Sequence, residues 1–211
     1  MDRPSEVVQL ELGGLILSLE QASDLAALAK ENLRTREDPV WLYLWPSGRA
    51  LARVVADQES LSGRRTLELG AGIGAAGLAA AARGAEVILS DREPEALALL
   101  ARNRDRNQLS AEILALDFTQ PQKDLGHFDL ILASDVFYGD GMMAGVLRFL
   151  RHHLGPEGLA LVTDPMRVQP AGVNGAARLH GLEVQSIVLE PGGVLTGGVN
   201  LYQLRKRARP T

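Results

Sequence analysis

The sequence predicts an α/β fold built around a mostly parallel β-sheet. Short apolar runs alternate with segments of helical periodicity through most of the chain, as in successive β-α units. The last two runs, Glu183 to Leu189 and Val199 to Leu204, are separated by a glycine-rich stretch without a helix, which indicates an antiparallel hairpin at one edge of the sheet. The chain has 211 residues, 46% of them apolar, which is enough for one good-sized domain with its own core.

The N-terminal residues do not follow the β-α alternation. Two alternating runs, Val7 to Leu12 and Leu15 to Leu19, are joined by two glycines and predict a β-hairpin. Leucines at helical spacing then predict a helix from Leu25 to Leu33. We therefore predict a hairpin-and-helix extension over residues 1–40, followed by the α/β domain over residues 41–211.

The α/β domain is predicted to contain further strands and helices in alternation. The strands cover Thr66 to Leu69, Glu86 to Ser90, Ala111 to Leu116, Phe128 to Ala133 and Leu159 to Thr163. The helices cover Pro46 to Ala56, Ala75 to Arg83, Pro94 to Asn107, Met142 to Leu154 and Gly172 to Leu179. A turn is expected at Gly155-Pro156-Glu157-Gly158. Together with the C-terminal hairpin, these elements predict a Rossmann-like sheet of seven strands, mostly parallel, with helices on both faces.

The composition excludes several classes of function. Because the chain has no cysteine, it forms no disulfide, thiolate zinc site or cysteine nucleophile. The net charge of −4 gives no general attraction to nucleic acid. No apolar run approaches the roughly 20 residues that span a bilayer, and the four histidines show no metal-ligand spacing. We expect a cytoplasmic protein that binds no nucleic acid, no membrane and no metal.

One stretch combines a buried strand, a tight turn and the start of a helix. Thr66 to Leu69 is followed by glycines at alternate positions, Gly70, Gly72 and Gly74, and then by an alanine-rich helix. Glycines in such a turn let the backbone approach a ligand closely. Asp91 ends the next strand, 21 positions after Gly70, which suits a carboxylate that accepts hydrogen bonds from ribose hydroxyls. The sequence therefore predicts a site for a nucleoside cofactor.

The residues around the glycines indicate which cofactor this is. Gly70 and Gly72, with Ala75, also fit the dinucleotide fingerprint, so a nicotinamide cofactor is one alternative. Glu68, however, lies two residues before the first glycine, where a dinucleotide-binding turn usually carries an apolar side chain. A carboxylate at this position can receive the ammonium group of S-adenosylmethionine, directly or through water. We therefore favour S-adenosylmethionine.

The residues from Glu68 to Gly74 resemble motif I of the class I, seven-β-strand methyltransferases, which use this methyl donor. The order of elements from Trp41 onward and the C-terminal hairpin are similar to that fold. Within the class, Trp45-Pro46-Ser47-Gly48 and Asp135-Val136-Phe137-Tyr138 resemble methyltransferase family 16, whose members are largely protein lysine methyltransferases. The tetrapeptide at Trp45 is most similar to the Trp-Pro-Gly-Gly of the electron-transfer-flavoprotein β-subunit lysine methyltransferase branch, with Ser47 in place of the first glycine.

The resemblance implies a donor site at the carboxyl ends of the strands. The glycines of the turn would line the methionine part of the donor, Asp91 would bind its ribose, and Asp117 with Phe118 would flank its adenine. A surface aspartate at a strand end is the alternative for Asp117, and a core position is the alternative for Trp45, since large aromatic side chains usually pack inside. The implied cofactor-binding residues are Trp45, Glu68, Gly70, Gly72, Gly74, Asp91, Asp117, Phe118 and Ala133, the last through its backbone only.

The resemblance also implies that Asp135 and Tyr138 hold the substrate. Asp135 would accept hydrogen bonds from a lysine amine and orient its lone pair, and Tyr138 would offer an aromatic face to a cation. The alternative is a strand-end aspartate that caps the next helix, with Tyr138 packed on its flank. The predicted function is protein-lysine N-methylation, with a protein as substrate. A small-molecule N- or O-methyltransferase and a non-catalytic binding module that retains the fold are the alternatives.

Overall fold

The computed structural model describes residues 4–24, 39–120, 124–138, 141–189 and 198–207. Each strand and helix of these residues begins or ends within a few residues of the bounds predicted from the sequence. The strands are β1 (Ser5–Leu12), β2 (Leu15–Ala22), β3 (Arg65–Leu69), β4 (Glu86–Asp91), β5 (Glu112–Ala115), β6 (Phe128–Ser134), β7 (Leu154–Asp164), β8 (Leu182–Leu189) and β9 (Val199–Lys206). The helices are α1 (Pro46–Ala56), α2 (Ala75–Ala82), α3 (Pro94–Arg106), α4 (Met142–His153) and α5 (Pro170–Leu179), with a short 3-10 turn at Pro39–Leu42. The predicted helix over residues 25–33 lies outside the described residues.

The main sheet has seven strands in the order β5-β4-β3-β6-β7-β9-β8. The pairs from β5 to β7 are parallel, whereas β9 runs antiparallel to both of its neighbours. The predicted fold class, including the C-terminal antiparallel hairpin, is therefore confirmed. The strand order reverses between β3 and β6, so a crevice is expected where the carboxyl ends of these two strands meet.

Strand β7 is longer than the sequence predicts, because the glycine-containing turn lies within it. Phe128 is opposite Leu154 and Leu130 is opposite Leu159, so residues 155–158 bulge out of the ladder. A Cβ on Gly158 would lie 2.8 Å from the carbonyl oxygen of Phe128. The backbone can bulge at this place because glycine lacks that atom.

The sheet separates two hydrophobic clusters because successive side chains of a strand point to opposite faces. Leu130 and Leu132 belong to the cluster that also contains side chains of α1, α2 and α3. Ile131 and Ala133 belong to the other cluster, which contains side chains of α4 and α5. Helices therefore cover both faces, and none of those in the described part of the chain is long and apolar enough to cross a membrane.

The N-terminal hairpin formed by β1 and β2 packs on the first of these clusters through its leucines. Two asparagines also bond to the outer edge of β2: Asn103 of α3, and Asn107, which directly follows α3. Asn107 accepts from the Ser18 amide at 2.8 Å and donates to its carbonyl at 2.9 Å. Asn103 accepts from the Glu20 amide at 2.7 Å and donates to its carbonyl at 3.2 Å. The two amide side chains thus take the place of a third strand beside the hairpin. The division of the chain at residue 40 stays a prediction.

Candidate active site

A cavity of about 450 Å³ lies at the carboxyl ends of the central strands. Most of the residues singled out from the sequence line this cavity, both those predicted to bind the methyl donor and those predicted to hold the substrate. These residues are Trp45, Glu68, Gly70, Gly72, Asp91, Asp117, Phe118, Asp135 and Tyr138. Gly74 and Ala133 are not part of the lining. Ala133 is fully buried in β6, one residue before Ser134, which does line the cavity.

The glycine turn after β3 forms one wall of the cavity. Gly70 and Gly72 have φ angles of 58° and 55°, a left-handed conformation that side chains with a Cβ rarely adopt. A Cβ on Gly72 would lie 2.8 Å from the carbonyl oxygen of Trp41, so the backbone of the aromatic segment, residues 41–45, packs against the turn there. Gly74 serves a different purpose, because a Cβ there would collide with Leu100 of α3 at 2.6 Å. The absence of a side chain at Gly74 leaves room for Leu100 beside the start of α2.

Glu68 lies at the base of the cavity and is 2% exposed. Its Oε2 accepts a hydrogen bond from the backbone N–H of Gly77 at 2.8 Å, so the carboxyl group also caps the N-terminus of α2. Burial raises the pKa of Glu68 to about 8, although the amides of Gly77 and Ala76 act in the opposite direction. The group is therefore largely protonated at neutral pH.

Asp91 ends β4 and ties the glycine turn to the start of α3. Its Oδ2 accepts from the Gly72 amide and its Oδ1 from the Glu93 amide, both at 3.0 Å. Burial raises the pKa of Asp91, and these two hydrogen bonds partly offset that effect. Each carboxylate oxygen has a second lone pair, so both can still accept from a ligand in the cavity.

The third acidic position, Asp117, follows β5. Its Oδ1 accepts from the backbone N–H of Thr119 at 2.9 Å and from the Thr119 hydroxyl at 2.6 Å. The adjacent Phe118 is 9% exposed, and its ring lies 3.7 Å from the position that a Cβ of Gly70 would occupy. This pair therefore gives the cavity a polar corner beside an apolar wall.

The aromatic segment before α1 forms a further part of the lining. Trp45 donates its indole N–H to the carbonyl of Val40 at 2.6 Å, and its ring meets that of Tyr43 edge to face at 5.4 Å. Trp45 is half-buried and borders the cavity, together with Trp41 and Tyr43. It is not one of the buried core residues.

Asp135 and Tyr138 lie on the loop that follows β6. Asp135 has a φ of 57° and donates its backbone N–H to the Thr163 carbonyl at 2.8 Å. Its Oδ1 forms an ion pair with the guanidinium of Arg167, on the loop that follows β7. Burial raises the pKa of Asp135, and Arg167 opposes that shift. Tyr138 is 40% exposed, so its ring is at the mouth of the cavity.

Sequence reasoning missed several residues of this cavity. Arg167 is the most important, because it is directly paired with Asp135. Its position three residues after β7 could have indicated it, since open α/β sheets bind ligands at the carboxyl ends of their strands. Arg92 and Glu93, which follow Asp91, and Ser134 also border the cavity.

The sheet order and this crevice define a class I S-adenosylmethionine-dependent methyltransferase fold, which solved structures also show. A TehB-like S-adenosylmethionine-dependent methyltransferase of Corynebacterium glutamicum matches with a TM-score of 0.61 and 19% identity, over 86% of this chain and 96% of its own. A 16S rRNA methyltransferase of T. thermophilus in complex with AdoMet and guanosine matches with a TM-score of 0.73 and 17% identity, over 98% of this chain and 52% of its own. Within this class, the chain belongs to the lysine methyltransferase family, whose sequence profile matches residues 29–171.

Curated relatives agree with that assignment. The electron transfer flavoprotein β-subunit lysine methyltransferase of Danio rerio is 34% identical over 148 residues, which is 69% of this chain and 57% of the relative. The Homo sapiens protein of the same name is 30% identical over 155 residues, or 72% of this chain and 58% of the relative. This chain thus spans a little over half the length of these relatives. A protein N-lysine methyltransferase of Danio rerio is 30% identical over 166 residues, covering 72% of this chain and 74% of its own.

Proposed function

We propose that this protein is an S-adenosylmethionine-dependent protein-lysine N-methyltransferase. One observation carries the proposal: a single cavity is lined by the glycine turn with Asp91 and also by Asp135 with Tyr138. The groups expected to hold a methyl donor and those expected to hold a lysine thus face the same space. Methyl transfer requires this arrangement, because the enzyme mainly has to position the nucleophile in line with the methyl group.

The described residues fit the donor. The cavity volume of about 450 Å³ lies within the range of small-molecule and cofactor sites. Gly70 and Gly72 contribute backbone to the cavity lining, and carboxyl groups lie at two separate places, Glu68 and Asp91. Glu68 would accept from the ammonium group of the donor, and Asp91 from its ribose hydroxyls. The donor supplies an electrophilic methyl group on a sulfonium, and the side chains of this site would bind the donor and the substrate and orient them.

The substrate side has to deliver a neutral amine. A lysine side chain has a pKa of ~10.4, so its neutral form costs roughly 4–5 kcal/mol at pH 7. The half-buried surroundings of Asp135 penalise an ammonium and lower that cost. Asp135 would accept a hydrogen bond from the amine N–H and direct its lone pair, while the Tyr138 ring would contact the cationic product.

The names of the relatives support a protein substrate. The relatives described above are lysine methyltransferases of the electron transfer flavoprotein β-subunit and a protein N-lysine methyltransferase, and a calmodulin-lysine N-methyltransferase of Arabidopsis thaliana is 32% identical over 127 residues. We propose that this chain likewise methylates a lysine side chain of a protein. The cytoplasmic location stays a prediction.

Radiolabelled methyl donor tests the proposal directly. The purified protein is incubated with labelled S-adenosylmethionine and the protein fraction of cells that lack the gene, and the labelled protein is hydrolysed to amino acids. We expect label in methyl-lysine, and we expect Asp135→Ala to abolish it while donor binding by calorimetry is unchanged. Label confined to small solutes would instead indicate a small-molecule methyltransferase, and an Asp135→Ala variant with normal turnover would mean that Asp135 is structural.

A further inference from the structure

We propose that Arg167 is a positioning residue that balances the charge of Asp135, so that the site presents the substrate lysine as a neutral amine. The inference rests on the proposed function and concerns the substrate side of the same cavity. Asp135 directly follows β6, and Arg167 is the third residue after β7, the neighbouring strand. Both residues line the cavity, and their side chains form an ion pair.

The ion pair is built into the fold from both sides. The backbone of Asp135 is held by its hydrogen bond to Thr163, and Val168, next to Arg167, donates its N–H to Asp164 Oδ1 at 3.1 Å. Asp135 and Met166 both have left-handed backbone conformations, with φ angles of 57° and 63°. Such conformations are uncommon for residues other than glycine and persist where the surrounding structure fixes them. The two loops are thus shaped so that the carboxylate and the guanidinium meet.

The pair leaves half of the carboxylate for a substrate. Arg167 donates to Oδ1 only, and none of the described residues forms a hydrogen bond with Oδ2. The Asp135 side chain is 14% exposed and that of Arg167 is 48% exposed, so the carboxylate is inside and the guanidinium reaches the solvent. Oδ2 can therefore accept a hydrogen bond from an amine while Oδ1 stays paired.

The charge balance removes a conflict in the proposed mechanism. A lone carboxylate beside a lysine stabilises the ammonium form, which has no lone pair and cannot attack a methyl group. A guanidinium is always protonated, so it compensates the carboxylate charge over the whole physiological pH range. A second carboxyl group, that of Asp164 at the end of β7, also acts on Asp135; it is buried, accepts from the Val168 amide, and is the same in wild type and in every variant compared below. The carboxylate keeps its capacity to orient the amine, but the pair no longer favours the cation.

A different role for Arg167 makes the opposite prediction. If the guanidinium merely occupied the place of the substrate cation, the lysine would have to displace it from Asp135. Removing the guanidinium would then make binding easier and raise the rate at neutral pH. In the charge-balancing role its removal lowers the rate at neutral pH, and the loss is recovered in alkaline solution.

The experiment compares the pH dependence of wild type with that of Arg167→Gln, Arg167→Lys and Arg53→Gln. Arg53 of α1 is a matched control because it forms an exposed ion pair with Asp57, the residue after this helix, and neither residue lines the cavity. Initial rates of methyl-lysine formation are measured from about pH 6 to pH 10, with saturating S-adenosylmethionine and a limiting amount of the protein fraction described above. Calorimetry with S-adenosylmethionine checks that every variant binds the donor.

We expect the rising part of the Arg167→Gln profile to move about one pH unit to the alkaline side, which is a ~10-fold loss at neutral pH. The shift is kept to about one unit because the half-exposed guanidinium is screened by solvent. Arg167→Lys, which keeps the charge, and Arg53→Gln should follow the wild-type profile.

Three results would overturn the inference alone: an Arg167→Gln profile that follows wild type, an equal loss for Arg167→Gln at every pH, or a faster rate at neutral pH. If wild type forms no methyl-lysine while it binds the donor, the proposed function fails and the inference fails with it.

Discussion

The buried carboxyl group of Glu68 should make the stability of this protein fall as the pH rises. In the unfolded chain a glutamate loses its proton near its ordinary pKa of 4.5, whereas in the folded protein burial raises the pKa of Glu68 to about 8. Between these values the folded state holds a proton that the unfolded state has lost. The free energy of unfolding therefore decreases with pH in this window, and the contribution of the group is complete only below the unfolded pKa.

The size of the effect follows from the displacement of the pKa. A displacement from 4.5 to about 8 corresponds to about 5 kcal/mol across the whole window, at 1.36 kcal/mol for each unit. About 3 kcal/mol of this loss is reached at neutral pH. Such an amount is a large part of the ~5–15 kcal/mol that typically separates folded and unfolded states.

Glu68→Gln removes the titration but keeps the shape of the side chain. Its amide oxygen can still accept from the Gly77 N–H, which Oε2 of Glu68 now does at 2.8 Å. Urea unfolding of both proteins at several pH values should show the variant gaining stability over wild type as the pH rises, by up to about 3 kcal/mol at neutral pH. Glu59→Gln, at an exposed carboxylate after α1, is the control and should follow wild type. Parallel curves for Glu68→Gln and wild type would refute the reasoning, because Glu68 would then be ionised in the folded protein.

Three further predictions concern the donor side of the cavity. Glu68 has to ionise to receive an ammonium group, so binding of S-adenosylmethionine at neutral pH should release close to one proton. Calorimetry in buffers of different ionisation enthalpy measures this release. Binding without proton release would mean that Glu68 does not bind the ammonium group of the donor. Asp91→Ala removes the acceptor of the Gly72 and Glu93 amides together with the proposed ribose contact, so donor affinity should fall by about 1.5–3 kcal/mol while the fold persists; unchanged affinity would remove the ribose assignment. Gly72→Ala has two costs, the backbone strain of a left-handed alanine and a collision of its Cβ with the Trp41 carbonyl. Gly63→Ala has the backbone strain alone, because Gly63 has a φ of 71° and no atom lies within 4 Å of the added Cβ. Gly72→Ala should therefore lose more stability in urea than the ~1–2 kcal/mol expected for Gly63→Ala, and equal losses would mean that the Trp41 backbone yields freely.

The sequence predicted the architecture well because its signals are local. Alternation of apolar runs with helical periodicity marks each β-α unit, and prolines at the start of α1 and α3 mark where those helices begin. The exception was the bulge in β7, where a turn sequence lies inside a strand because two glycines let the backbone fold back beside Phe128. Sequence rules for turns consider only neighbouring positions in the chain, so they do not predict that a strand continues on both sides of a bulge paired with β6.

The site was predicted less completely, because its side chains come from distant parts of the chain. The glycine turn, Asp91 and Asp135 stand in recognisable motifs, and all of them border the cavity except Gly74. Gly74 belongs to the same motif, but its missing side chain makes room for Leu100. Arg167 belongs to no motif, and only the parallel pairing of β6 with β7 brings it to Asp135. This ion pair depends on which strands are neighbours in the sheet, and no motif in the sequence records that order.

The amide side chains that border the hairpin have a consequence for any shortened form of this protein. Asn103 is fully buried, and besides the hairpin it also donates to the carbonyl of Ile73, in the glycine turn, at 3.0 Å. Removing the first two strands would therefore strip hydrogen bonds from a buried group that also steadies the turn, and would uncover the leucine-lined surface beneath. A fragment that starts at residue 41 should be prone to aggregate and loose at its ligand-binding turn, even though every residue proposed to contact ligand is still present.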